Sequence, residues 1–194
     1  MPLDIVLLGP PGAGKGTQAR RIAGDYGIPV ISTGDMLRAA MAADTGLGRR
    51  IRPIYDQGNL VPDELVIDLI RERLLEADAA TGALFDGFPR NLPQAEALDG
   101  VLDEAERRLA VVFEFQVPDP VAEQRLLERA HVEGRSDDTP AVARHRLSVF
   151  HADTEPVIEY YRARGILVGI HADRSIGEVF AELRQVLDEL AQPA

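Results

Sequence analysis

Ile5-Val6-Leu7-Leu8-Gly9-Pro10-Pro11-Gly12-Ala13-Gly14-Lys15-Gly16-Thr17 is the stretch from which the rest of the chain can be read. Residues 5–8 are a short continuous apolar run, as expected of a strand buried on both faces of a parallel sheet. A helix is predicted to start at Lys15 and run to Tyr26, ended by Gly27 and Pro29. The glycines between strand and helix let the backbone curl so that several N–H groups aim at one anion. The helix N-terminus adds its partial positive charge. This strand–loop–helix setting, with a lysine at the loop's end, predicts a phosphate loop for a nucleoside triphosphate. Without the lysine and the spacing, the same residues would read as a Gly/Pro-rich turn.

Two details of the loop stand out. Twenty of the 21 basic residues are Arg, and Lys15 is the only Lys. Coding bias explains the arginines; retention of one lysine here points to a place where a compact ammonium fits and a guanidinium does not. Gly16 stands where most phosphate loops carry the Ser or Thr that touches magnesium, and Thr17 follows one residue later. The metal is therefore expected to be held more by water and by a distant acid.

Strand and helix patterns alternate along the remaining chain. Strands are predicted at residues 30–31, 83–85, 109–115 and 166–170. Helices are predicted at 35–43, 47–57, 62–76 and 121–130. Leu92, Ala95, Leu98, Leu102 and Ala105 mark the face of another. Residues 131–140 are polar and read as a loop. Two helices should follow, separated near residues 154–156 because Pro156 sits badly inside one. The last helix opens with a capping box, Ser175 and Glu178, above a core stripe of Ile176, Val179, Phe180, Leu183, Leu187 and Leu190. Such alternation implies a parallel sheet with helices on both faces.

Composition narrows the function. The net charge of −11 argues against broad nucleic-acid binding. No apolar run approaches a membrane span. The N-terminus has no basic flank and runs into a strand, so a signal peptide is not expected and a cytoplasmic location is. No cysteine is present, which excludes disulfides and cysteine–zinc sites.

Five segments, taken together and in order, resemble the adenylate kinase family. They are the loop at 9–17, Ser32-Thr33-Gly34-Asp35-Met36-Leu37-Arg38, Gly58-Asn59-Leu60-Val61-Pro62-Asp63, Asp86-Gly87-Phe88-Pro89-Arg90, and Gly134-Arg135-Ser136-Asp137-Asp138. The resemblance covers nearly the whole chain. It implies the P-loop NTPase fold, a five-stranded parallel sheet in a core of residues 1–31, 62–129 and 141–194. It also implies a helical AMP-binding insertion at about 32–61 and a short lid at about 130–140. That lid is too short for the extra β-domain of long-form relatives and lacks their zinc site.

The resemblance also assigns roles. ATP would sit on Gly12, Ala13, Gly14, Lys15, Gly16 and Thr17, with Arg125 and the backbone near Arg174 at its adenine and Arg129 closing over the transferring phosphate. AMP would be held by Thr33, Arg38, Gly58, Asn59, Leu60, Val61, Gly87, Phe88, Pro89, Arg90 and Gln94, and closed over by Arg135 and Arg146. Arg38 and Arg90 would grip its phosphate, and Gln94 would read the adenine edge. Singly, several have plainer readings: Arg38 a solvated arginine, Thr33 a helix cap, Gln94 a surface amide, Arg125 an exposed arginine. Asp137 and Asp138 would orient lid arginines or simply be solvated. Lys15, Arg90, Arg129, Arg135 and Arg146 would be catalytic, and Asp86 would meet Mg2+ through water.

The implied reaction is MgATP + AMP ⇌ 2 ADP, carried out by a monomer. Its nucleophile is a phosphate oxygen already ionised at neutral pH, so no general base is needed, and no histidine falls in a motif. The two nucleotides bring about six negative charges. Magnesium, Lys15 and five arginines match them. Thr33 favours AMP, because similar uridylate/cytidylate kinases typically carry Ala there. A UMP/CMP kinase, a GTP:AMP phosphotransferase and a non-catalytic nucleotide-binding module are the rival readings.

Overall fold

The structure is a computed structural model that describes residues 2–133 and 139–191. Five strands form one all-parallel sheet in the order β2-β3-β1-β4-β5. They are β1 (Leu3–Leu8), β2 (Val30–Ser32), β3 (Gly82–Asp86), β4 (Leu109–Gln116) and β5 (Leu167–His171). α1 (Lys15–Tyr26) links β1 to β2. α2 (Thr33–Ala42), α3 (Gly46–Asp56) and α4 (Asp63–Leu74) fill the path to β3. α5 (Leu92–Glu104) precedes β4. α6 (Asp119–Glu133), α7 (Pro140–Val149) and α8 (Glu155–Ala163) precede β5, and α9 (Ile176–Ala191) closes the chain.

The apolar run of β1 is buried on both faces because its side chains alternate. Val6 and Leu8 enter a cluster with Phe85, Leu98, Val112 and Tyr161. Ile5 and Leu7 enter the other, with Ala19, Ile22, Phe113, Leu183 and Leu187. A buried ion pair pins the sheet's N-terminal edge. Asp4, fully buried, accepts from the Ala83 N–H at 3.0 Å and from Nε of Arg107 at 3.0 Å. The C-terminal edge is left to the loops, where ligands bind in such sheets.

Four expectations need correction. α6 runs on to Glu133, two residues past the start of the expected loop, because no breaker precedes Gly134. α7 and α8 are not separated at Pro156; one π-turn, Phe150–Thr154, joins them. Pro156 then falls in the first turn of α8, where a missing N–H costs little. His151 anchors the π-turn, with Nε2 2.9 Å from Asp119 and Nδ1 2.6 Å from Glu155. Ile176 and Leu190 are 56% and 49% exposed, so the core stripe of α9 is shorter than read. Ile176 is the first residue of its helix and borders the cleft. Leu190 lies beyond Asp188, which meets Tyr26 at the end of α1. Leu92 and Ala105 are likewise exposed, at the first turn and C-cap of α5. The capping box is as read: Ser175 N–H donates to Glu178 at 3.1 Å and Glu178 N–H to Ser175 at 3.3 Å.

Candidate active site

One cleft of about 760 Å³ runs along the C-terminal edge of the sheet. β1, β2, β3 and β5 contribute the residues at or just past their ends.

The phosphate loop lies between β1 and α1. Gly12 and Gly14 adopt φ of +86° and +89°, which L side chains rarely take. At Gly12 a Cβ would also stand 2.3 Å from the Ala122 carbonyl of α6, so the loop packs on backbone. Gly14 caps α1, and its carbonyl accepts from the N–H of Thr17 and Gln18 at 3.1 and 3.2 Å. Lys15 curls over the loop, donating to the carbonyls of Gly9 and Pro10 at 2.7 and 2.8 Å. Burial pushes its ammonium down to about 8. Asp86 opposes that fall, and Arg90 and Arg129 add to it.

Asp86 ends β3, in register with Leu7 on one side and Ser32 on the other. A Cβ on Gly16 would lie 3.3 Å from its Oδ2, so any side chain at 16 would crowd this carboxylate. Glycine at 16 leaves the carboxylate uncrowded where other loops carry a hydroxyl. Among the described residues no group of three or more His, Cys, Asp or Glu could hold a metal by itself. Magnesium is usually bound by one or two carboxylates, water and substrate phosphates. A single carboxylate facing the phosphate loop fits that habit.

Across the cleft, α2 begins at Ser32, whose hydroxyl caps it by accepting from Asp35 N–H at 3.3 Å. The cap is thus Ser32, and Thr33 is released for another contact. Its hydroxyl donates to the Gly87 carbonyl at 2.8 Å. Nε of Arg90 donates to the same carbonyl at 2.8 Å, which ties the ends of β2 and β3 together. Arg38 donates to the Tyr55 hydroxyl and to Asp35. Burial pulls its pKa down, but Tyr55 and Asp35 outweigh this and hold it above the ordinary value. Arg90 is pushed the other way, by burial and by Arg146 and Arg38, against Tyr55 and Asp86. Arg146, from α7, lies over the Tyr55 ring at 5.5 Å.

Gln94 is buried at the start of α5 and borders the cleft. Its Oε1 accepts from Arg90 N–H at 2.8 Å, and its Nε2 donates to Asp63 at 2.6 Å. Gly58, Asn59, Leu60, Val61, Gly87 and Pro89 also line the cleft. Phe88 does not: its side chain is 1% exposed in the core, so any contact with a ligand falls to its backbone. At the other end, Arg125 donates to the Ala172 carbonyl at 3.0 Å and Arg174 to the His171 carbonyl at 2.8 Å. Arg129 lines the same cleft. Arg135, Asp137 and Asp138, and the side chain of His131, lie outside the described residues.

The contacts of three residues were not legible in the sequence, although Asp35 and Asp63 stand in the segments quoted above. Tyr55 joins Arg38 to Arg146, Asp35 pairs with Arg38, and Asp63 holds Gln94. Tyr55 and Asp63 are ordinary helix residues by pattern, and only the approach of separate helices shows what they touch.

Cations gathered around a phosphate loop at the C-terminal edge of a parallel sheet are the equipment of a P-loop phosphotransferase. The adenylate kinase family model matches residues 7–166. An adenylate kinase of Thermus thermophilus is 49% identical over 183 residues, covering 94% of this chain and 96% of that protein. One of Maricaulis maris is 49% identical over 187 residues, 96% of this chain and all of the relative. One of Caulobacter vibrioides is 43% identical over 189 residues, 97% and 99%. The chain belongs to the adenylate kinase family, and it is a nucleotide-binding transferase and kinase.

Proposed function

We propose that the chain catalyses MgATP + AMP ⇌ 2 ADP, with the phosphate loop holding the donor and the β2–β3 end of the cleft holding the acceptor. The observation that carries this is the cleft's continuity. Lys15, Asp86 and Arg129 border the same space as Thr33, Arg38, Arg90, Arg146 and Gln94. The two ligands then meet end to end.

An oxygen of the AMP phosphate attacks the γ-phosphorus in line, and the bond to the β–γ bridging oxygen breaks. The attacking oxygen is already anionic and the bridging oxygen leaves with the bonding pair as an oxyanion of ADP, so no proton moves. Among the described residues no histidine lines the cleft, which suits a transfer without a general base. Magnesium bound with ATP supplies charge neutralisation at the outer phosphates, and Asp86 would hold it through water. Lys15 follows the transferring group, and Arg90, Arg129 and Arg146, with Arg135, neutralise charge around it. Arg38 and Arg90 grip the AMP phosphate. Thr33, Gln94 and residues 58–61 enclose its base. Arg125 and the backbone at Arg174 border the donor base.

The division of labour follows. Residues 1–31, 62–129 and 141–194 form the core, about 32–61 the acceptor insertion and about 130–140 a lid. Their closure would exclude water, the competing acceptor. A monomer is proposed, as the family resemblance implies. No described helix is long and apolar enough to cross a membrane, and a cytoplasmic location is proposed with the nucleotide chemistry.

A coupled assay over AMP, UMP, CMP and GMP, with ATP and GTP as donors, tests the reading. AMP with ATP is expected to give the highest kcat/KM. Faster turnover with UMP than with AMP would overturn it.

A further inference from the structure

The amide of Gln94 is held at both ends. Oε1 takes the Arg90 backbone N–H at 2.8 Å, and Nε2 gives one hydrogen to Oδ1 of Asp63 at 2.6 Å. A backbone N–H needs an acceptor and a carboxylate needs a donor, so both ends demand the same orientation. The side chain is 2% exposed, which leaves little room to turn. Asp63 is held in its turn. The same Oδ1 accepts from Nδ2 of Asn91 at 2.9 Å, while Oδ1 of Asn91 caps α5 by accepting from Gln94 N–H at 3.0 Å. Residue 63, on the first turn of α4, thus reaches across to fix a side chain that borders the cleft.

We infer that Asp63 is a specificity-positioning residue, which locks the sense of the Gln94 amide so that the acceptor site accepts a 6-aminopurine and rejects a 6-oxopurine. This rests on the reading, given above, that Gln94 faces the acceptor base. Once pinned, the amide has one N–H and one oxygen lone pair left to offer. The 6-amino group of adenine donates to the oxygen while a ring nitrogen accepts from the N–H. A 6-oxopurine sets a carbonyl against the amide oxygen, and two acceptors repel. A freely turning amide would satisfy either base. A fixed one leaves the wrong base with unmatched polar groups, which is how buried polar sites discriminate most strongly.

The test compares AMP with IMP, which differ only at position 6 and N1, as acceptors at saturating ATP. Asp63→Ala removes the acceptor oxygen. Asp63→Asn keeps an oxygen in the place where both hydrogen bonds fall, while losing the charge at the start of α4. The alanine variant is expected to raise the IMP:AMP ratio of kcat/KM by roughly tenfold, chiefly through KM for AMP, with KM for ATP unmoved. The asparagine variant is expected to keep the parent ratio. Asp63 is only partly buried, so alanine is expected to fold. Asp63→Ser, which also withdraws the reach of the carboxylate, replaces it if not. An unchanged ratio in the alanine or serine variant overturns the inference, and so does an equal loss in Ala and Asn. Gln94→Leu separates the two layers. If it leaves KM for AMP unchanged, the reading of Gln94 itself is wrong and the inference falls with it. If it raises that KM while the Asp63 variants keep the parent ratio, only the inference fails.

Discussion

Lys15 has to be both enclosed and charged, and the two demands oppose each other. Burial brings its pKa to about 8 from an ordinary 10.5, against the help of Asp86. A phosphate ligand restores the balance, because an anion beside it favours the protonated form. The profile of kcat/KM for ATP reports the free enzyme. It is expected to fall about tenfold per pH unit above pH 8, while the limb in kcat moves to higher pH. A kcat/KM that stays level to pH 10 would show that this ammonium is not titrating there. Stability runs in the opposite sense. Unfolding returns Lys15 to 10.5, so between pH 8 and 10.5 the unfolded chain holds more protons and stability without nucleotide rises with pH. Below pH 8 the full penalty remains, about 3 kcal/mol for a shift of this size. Lys15→Met is therefore expected to lose at least about a hundredfold in kcat while melting no lower than the parent at pH 7 without nucleotide. Circular dichroism and the coupled assay check both halves.

Among the elements, the pair α2–α3 carries the acceptor residues Thr33, Arg38 and Tyr55 on one unit. Its packing is close enough to be sensitive to one methyl group. A Cβ at Gly48 would stand 2.1 Å from the carbonyl oxygen of Ala40, well inside contact. That neighbour is backbone, so the helices must separate. Gly48→Ala is expected to raise KM for AMP several-fold, with KM for ATP nearly unchanged, because the phosphate loop belongs to β1 and α1. Equal changes in both would mean that the insertion and the core do not respond independently. The π-turn before α8 shows another property of elements. Proline at 156 announces a break in a sequence read alone, yet one wide turn, tied by His151 to Asp119 and Glu155, joins α7 to α8 and leaves the proline in the first turn of α8.

In the whole molecule, the sheet separates two apolar clusters but also joins them. On β3, Leu84 packs into one cluster and its neighbour Phe85 into the other. No strand can leave one core without leaving both. Phe85→Ala and Phe113→Ala lie on opposite faces, each fully buried. Each is expected to cost about 3–5 kcal/mol and to lower Tm by on the order of 10 °C, with one calorimetric transition in both. Two resolved transitions, or a van't Hoff enthalpy well under the calorimetric one, would show that the faces unfold separately.

The sequence by itself determined the parts that depend on local pattern. The continuous apolar run of β1, the glycines and lysine after it, and the strand–helix alternation are short-range signals. They specify a phosphate loop on a parallel sheet. The motif order brought Thr33, Arg38 and Arg90 into view, and the family resemblance it carries added Gln94 and Arg146. Only the tertiary structure decided what those side chains touch. Ser32 rather than Thr33 caps α2, Phe88 turns into the core, and Ile176 and Leu190 fall outside it. The Asp63–Gln94 and Arg38–Tyr55 contacts join helices separated by 31 and 17 positions in the chain. The physical reason is range. Glycine conformations and side-chain periodicity act within a few residues, and sequence shows them directly. A hydrogen bond between two helices depends on how both pack against the sheet, and no single segment records that. The loop at residues 9–17 therefore announces a nucleotide, while the sense in which one buried amide faces a base belongs to the fold.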